Sequence, residues 1–556
     1  MATHTVELAA SDIQDGQMKE IDFGAEDQKV LVSRIGDNVY ATSAFCTHYG
    51  APLAKGVLAA NGRVTCPWHS ACFSVKTGDI EDGPARDALH CFTAVLSEDK
   101  SKITVTAPVE ETKKANKERK PFARSKYAGA KDEGKGVVIV GGGAGGLGAA
   151  EALREYGYTG KVTMYTKEHN APIDRPKLSK SLLDEPSKLE WRPASVLRHT
   201  FGIDLHTGTE VTAVDTKAKT VTVHGEAVGY DKLVLAPGSW PNRIPIPGAD
   251  FQNVFTLRNI DDTKKMQGLK HKGKHLVVIG SSFISMELVA VVMKNEPASL
   301  HVIGMETVPF ERVLGKEIGQ ALMKFFEKNG VTFHMEQKTT AIHGPPTVLG
   351  HVTGTHKAES VALGDGTVLK ADYVVMGVGV RPATQFLANN PSFTLERDGG
   401  LKVDTELRVL GLEDVFAVGD IAHYPVDEVG TLRRIEHWNV ATDHGRSVGA
   451  LIAGSPHPYG RIPIFWSALG QQLRYCGIGI NFDSVILRGN AEELKFIAFY
   501  VQGETVLAVV SMQNDPVVMK CAELLRHGLM PSATELRQGK DPMEIDVSSS
   551  HAVLKK

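Results

Sequence analysis

Two short constellations carry metal-binding chemistry. Cys46-Thr-His48 and, after seventeen intervening residues, Cys66-Pro-Trp-His69 each offer one thiolate and one imidazole at close spacing. Two sulfurs and two nitrogens satisfy a tetrahedral zinc ion. Zinc motifs usually pair like ligands within a knuckle, whereas each pair here is mixed. The same four ligands divided over two irons, cysteines on one and histidines on the other, hold a [2Fe–2S] cluster. Spacing alone leaves both chemistries open.

A second constellation is built from small residues. Gly141-Gly-Gly143-Ala144-Gly-Gly146 follows the apolar run VVIV and opens a helical pattern. Glycines there permit a tight turn and let a helix N-terminus approach a dinucleotide pyrophosphate. The pattern returns about 140 residues later in HLVVIGSSFISMELVAVV, degraded to Gly280, Ser282 and Ser285. Small residues still leave room for a phosphate, but the steric argument is weaker. An acid ending the next strand would hold an adenine ribose. Gly304 occupies that place, with Glu306 two residues on and no arginine immediately beside it, so NADH is only slightly favoured over NADPH.

These sites need several domains to position them. The 556 residues allow about three or four at ~150 residues each. The chain is 42% hydrophobic and 23% charged, near the average for folded proteins. Its net charge of −3 gives no general reason to bind nucleic acid or anionic membrane. No uncharged apolar run approaches the ~18 residues of a membrane span. Short strand-like runs before residue 107 (KVLVSRI, NVYATSAF, RVTC, HCFTAVL, KITVTA) predict a small all-β domain. Residues 113–135 hold nine Lys/Arg against three Asp/Glu and read as a solvated linker. Near the end, ELKFIAFYV-QGE-TVLAVVSM predicts a hairpin in an α+β domain.

The string CTHYGAPLAKG…CPWHSACFSVKTGDIEDGPA closely resembles Rieske domains, including Gly83-Pro84. That resemblance makes Cys46, His48, Cys66 and His69 the ligands of a Rieske [2Fe–2S] cluster. Rieske domains of respiratory complexes add a disulfide and two hydroxyl donors around the cluster. The matching positions are Ala51 with Trp68, and Ala71 with Phe73, so clamp and donors are both missing. Losing hydrogen bonds to cluster sulfur lowers the potential, as in ferredoxin-type centres. Cys72 and Cys91 are expected to be ordinary half-buried thiols.

From about residue 135 onward the motif order is similar to the apoptosis-inducing-factor and ferredoxin-reductase flavoproteins, and the fused domain narrows this to their Rieske-containing branch. The resemblance assigns the first fingerprint (Gly141, Gly143, Ala144, Gly146) to FAD, with Leu235-Ala-Pro-Gly238 and Val415-Phe-Ala-Val-Gly419-Asp420 completing the site. In Asp174-Arg175-Pro176-Lys-Leu-Ser-Lys180 it implies Arg175 near the FAD phosphates and Lys180 at the reactive flavin edge, paired with Glu287. Trp438 is implied towards the nicotinamide and Trp466 beside the flavin. Lys167 replaces the family's usual ribose acid, leaving Glu168 as an unaligned candidate.

The expected architecture is multidomain, with an N-terminal all-β Rieske domain (5–107), a basic linker (108–134) and two α/β Rossmann-like domains. FAD takes 135–257 and 381–458, NAD(P)H takes 258–380, and an α+β C-terminal domain spans 459–556. The expected function is electron transfer from NADH or NADPH through FAD to the Rieske cluster and on to an unidentified acceptor. A rival is a redox-signalling interaction protein whose reduced state controls partner binding. A thiol–disulfide reductase is disfavoured, because beyond the linker only Cys476 and Cys521 remain, 45 residues apart. With no signal or transit peptide in MATHTVELAASDIQDGQMKE, a cytoplasmic location is expected. A mitochondrial one and a homodimer are left open by resemblance only.

Overall fold

The structure is a computed structural model describing residues 2–114, 134–182, 185–266, 272–345, 357–427 and 429–552. Most of the expected linker, 115–133, lies outside the described residues.

The N-terminal domain pairs two antiparallel sheets. Six strands run in the order Thr3–Ala9, Lys102–Pro108, Cys91–Leu96, Asn38–Ser43, Lys29–Ile35 and Met18–Asp22. A smaller sheet of Val57–Leu58, Arg63–Thr65, Cys72–Ser74 and Ile80–Asp82 carries one ligand loop. Short alternating runs broken by turns produce this outcome, since each strand buries only one face. The domain reaches past 107. Val109–Thr112 forms a 3-10 turn with Thr112 buried, and Lys113 bridges Gln28.

The first nucleotide module has a parallel sheet in the order Ile203–His206, Val162–Tyr165, Val137–Val140, Lys232–Leu235 and Val415–Ala417. Near-continuous Val, Ile and Leu fit strands covered on both faces. Helix Ala144–Glu155 lies against helix Trp438–Ile452. The two backbones nearly touch, because a Cβ on Gly445 would stand 2.0 Å from the Gly145 carbonyl oxygen.

The second module repeats the plan, with strands ordered Val254–Phe255, Tyr373–Met376, His275–Ile279, Ser299–Ile303 and Val331–His334. Val254–Phe255 pairs in this sheet although it precedes the expected boundary at 258, because its parallel partner Tyr373–Met376 belongs to the second module. The C-terminal domain is a five-stranded antiparallel sheet with helix Val517–His527 against it. The expected hairpin is there as Lys495–Gln502 and Thr505–Met512.

Candidate functional site

The two metal-ligand loops fold alike. The Cys46 amide donates to the Ala51 carbonyl at 2.9 Å, and the Cys66 amide donates to the Ala71 carbonyl at 2.8 Å. Each cysteine is thus fixed at the mouth of a tight loop. The four side chains meet as a thiol pair and an imidazole pair, with the Nδ1 atoms of His48 and His69 3.2 Å apart. All four residues are buried. Burial, with Lys177 and Arg86 adding to it, pulls His48 down to about 3, and burial holds His69 well below its ordinary value. Both imidazoles are therefore neutral, the state in which histidine ligates a metal. Burial and a hydrogen bond to Cys66 hold the Cys46 thiol well above its usual range. Among the described residues no three His, Cys, Asp or Glu gather as a set for a single ion. Two pairs fit a two-iron cluster. Ala71 and Phe73 are fully buried beside the loops and offer no hydroxyl. Cys72 is buried and Cys91 exposed, so neither is half-buried as expected.

One cavity of about 870 Å³ collects most of the other expected residues. Gly141, Gly143, Ala144, Arg175, Lys180, Gly238, Ser282, Ser285, Glu287, Asp420, Trp438 and Trp466 all line it. Gly146, Gly280 and Glu306 do not. Gly146 stands behind the turn, where a Cβ would lie 2.0 Å from the Gly141 carbonyl oxygen. Gly280 makes the equivalent turn against Gly377, with φ of 105°. A Cβ on Gly143 would meet nothing within 4 Å, and no side chain caps the first helical turn after it. Open space before uncapped N–H groups fits a pyrophosphate. In the second module Ser285 Oγ donates to the Gly377 carbonyl at 3.3 Å, so the serine in place of a third glycine closes the turn.

Lys180 Nζ lies 2.9 Å from Glu287 Oε1. Ser467 Oγ donates to the same carboxylate at 2.6 Å, and Ser179 donates to its other oxygen. Asp420 accepts from Ser239 Oγ at 2.6 Å and from Arg258 at 2.9 Å. Glu168 lines the cavity and pairs with Arg175 at 2.9 Å. Glu306 instead pairs with Arg312 at 3.0 Å, and Arg312 reaches the cavity wall. The two are six positions apart in sequence, so the arginine missing immediately beside Glu306 is supplied from the next helix.

The N-terminal domain seats its imidazole pair against this cavity. The Trp466 ring lines the cavity and also meets His69 at 4.5 Å and His48 at 5.9 Å between centroids. Trp191 stacks on His48 at 5.6 Å and touches Trp438 at 5.7 Å. Around this aromatic contact runs a polar rim. Asn439 donates to the His69 carbonyl at 3.1 Å, and the Gly83 amide donates to Asp443 at 2.8 Å. Burial pushes the Asp443 carboxyl up to about 6, against the pull of that amide and of nearby arginines. Arg86 lies 3.4 Å from Glu151, which also accepts from Arg192 at 2.7 Å. Tyr49, stacked on His48, donates to Asp174. Sequence reasoning missed Trp191, Arg258, Asn439 and the Glu151 network, whose partners lie far away in sequence. Ser467 and Asp174 stood beside residues already singled out.

A family model for pyridine nucleotide-disulphide oxidoreductases matches residues 135–445. The chain belongs to this family. A Rieske [2Fe-2S] domain model matches residues 3–93, and a reductase C-terminal model matches 464–544. The chain is 38% identical over 522 residues to apoptosis-inducing factor 3 of Homo sapiens, covering 93% of this chain and 83% of that protein. It is 31% identical to rhodocoxin reductase of Rhodococcus erythropolis, covering 70% of this chain and 89% of that one. The covalent putidaredoxin reductase–putidaredoxin complex aligns with a TM-score of 0.67 at 26% identity, over 73% of this chain and 95% of that chain. This member of the family is thus an NAD(P)H oxidoreductase whose cofactors are FAD and a Rieske cluster. Despite the family's name, no cysteine lines the cavity, and none of the six is in a disulfide. No helix among the described residues is long and apolar enough to cross a membrane.

Proposed function

We propose that this chain takes electrons from NAD(P)H and delivers them, through FAD and then its own Rieske cluster, to a separate acceptor. Bound FAD supplies the exchange between paired and single electrons that a nicotinamide and an iron–sulfur cluster cannot make directly. The observation that carries the reading is the position of Trp466, one ring shared between the nucleotide cavity and the two histidines. In this reading the turn at Gly141–Gly146 holds the pyrophosphate and Asp420 the ribitol, while Lys180 and Glu287 orient the nicotinamide pocket. Trp191, Trp466 and Tyr49 cover the imidazole pair and exclude water from it. Covalent attachment of the cluster domain keeps it at high effective concentration beside the cavity. The solved relative joined covalently to putidaredoxin pairs a reductase with a separate carrier, whereas here the metal domain is part of the chain.

Anaerobic mixing with NADH and, separately, NADPH tests the path, with absorbance for the flavin and EPR for the cluster. A reduced-cluster signal as large as that from dithionite is expected with at least one nucleotide. A signal with dithionite and none with either nucleotide would exclude the internal route.

A further inference from the structure

The C-terminal domain meets the metal set through one strand pair. Ile464–Ala468 and Gln472–Gly477 run antiparallel, and Trp466 lies directly opposite Arg474. Side chains directly opposite share a face. Arg474 therefore stands on the face from which the Trp466 ring meets His69 at 4.5 Å. It is 3% exposed. Its terminal nitrogens donate to Gln472 Oε1 at 3.1 Å, to the Leu473 carbonyl at 3.4 Å and to Asp515 Oδ2 at 3.4 Å. Its Nε has no hydrogen-bond partner among the described residues.

A buried guanidinium with long contacts and an unmet N–H is costly unless it faces negative charge. Asp515 is one such charge, but it is about one-third exposed and only grazes the fork. The other is the metal set, which this face of the strand pair meets through Trp466. Trp466, opposite Arg474 on that face, meets His69 of the set at 4.5 Å between ring centroids. Burial disfavours the charged form of the arginine, which Asp515 in turn supports.

We propose that Arg474 is a positioning residue for electron entry, a buried cation supplied by the C-terminal domain that stabilises the reduced, more negative Rieske cluster. Reduction adds one electron to the cluster and makes or breaks no bond, so a fixed positive charge nearby raises the potential. This opposes the effect of Ala71 and Phe73, which offer no hydroxyl hydrogen bonds and leave the potential low. The inference deepens the proposed electron path, since a raised potential favours arrival from the flavin side. A unit charge within about 10 Å at an effective dielectric near 20 changes a one-electron equilibrium by about tenfold or more.

Mediated redox titration of the full-length holoprotein tests it, with dithionite as the electron source, EPR reading the cluster and absorbance the flavin. Arg474→Gln is expected to lower the cluster midpoint by about tenfold in equilibrium constant, about 59 mV for one electron. Arg474→Lys restores most of that shift. Asp515→Asn, which removes the opposing charge and keeps the arginine, raises the midpoint. An unchanged cluster midpoint in Arg474→Gln, or a flavin midpoint that moves as far as the cluster's, overturns the inference. If Arg474→Gln fails to hold its cluster, Asp515→Asn decides, a rise supporting the inference and no rise overturning it. Because dithionite delivers the electrons, failure of NAD(P)H to reduce the cluster would overturn the proposed path and leave this result standing.

Discussion

Glu287 is a buried carboxylate, and three donors hold it. Lys180 supplies the charge at 2.9 Å, and Ser467 and Ser179 supply hydroxyls. The three come from two different domains, so the carboxylate also fixes the cavity wall where they meet. Glu287→Gln keeps the shape and removes the charge, leaving Lys180 without its counter-ion. Flavin bleaching by NADH is expected to slow by roughly 10–100-fold, the scale for a misplaced reacting group. Because both residues serve one pair, Lys180→Met combined with Glu287→Gln is expected to cost little more than the worse single change. Anaerobic stopped-flow absorbance checks both, and additive losses would refute the coupling. This pair was legible only through resemblance, as its members are 107 positions apart. Glu306 was offered from its spacing, two residues beyond the ribose-acid position held by Gly304, and its pairing with Arg312 was not legible, because it depends on how the following helix folds back.

At the scale of elements, the glycine turn separates two requirements that a sequence motif merges. Gly146 is needed by the fold, since its Cβ would collide with the Gly141 carbonyl at 2.0 Å. In the proposed reading Gly143 is needed by the ligand, since its Cβ would occupy open space at the cavity. Gly146→Ala is expected to lower the melting temperature of both apo and FAD-loaded protein. Gly143→Ala is expected to leave the apo melting temperature near wild type and lower FAD stoichiometry after purification. Differential scanning fluorimetry with flavin quantification tells them apart, and equal apo melting temperatures for the two would defeat the distinction. Strand–turn–helix units and the C-terminal hairpin were legible because their signals are local, a turn residue between runs of one period. Helix Trp438–Ile452 also carries a readable pattern in hindsight. Asn439, Asp443 and Arg446 fall at i, i+4 and i+7, one helical face. All three hydrogen-bond the Rieske domain, through His69, Gly83 and Ile80. A polar stripe in a sequence normally means solvent, and nothing local tells that it meets another domain.

For the whole molecule, the decisive feature is this seating of one domain on another, which no motif announced. The basic stretch suggested a carrier on a tether, but the histidines of that carrier are buried against the flavoprotein. Glu151 lies at the centre of the contact. It sits on helix Ala144–Glu155, whose first turn faces the nucleotide cavity, and it is fully buried. It joins Arg86 of the Rieske domain to Arg192 of the first nucleotide module. Arg86 in turn lies over the Trp438 ring at 5.1 Å. Removing one partner from a buried ion network costs about 3–5 kcal/mol, because the remaining charges stay desolvated. In Glu151→Gln the two guanidiniums lose the carboxylate they share, which weakens the contact between the two domains. Amide exchange is therefore expected to rise in residues 80–90 more than in the distant sheet edge Met18–Asp22. In the same variant, cluster reduction by NADH is expected to fall relative to flavin bleaching by NADH, since the imidazole pair no longer rests on Trp466. Unchanged exchange in 80–90 would mean that Glu151 stabilises only its own helix. Faster exchange with an unchanged ratio of the two rates would mean that the seated arrangement is not the one through which electrons reach the cluster.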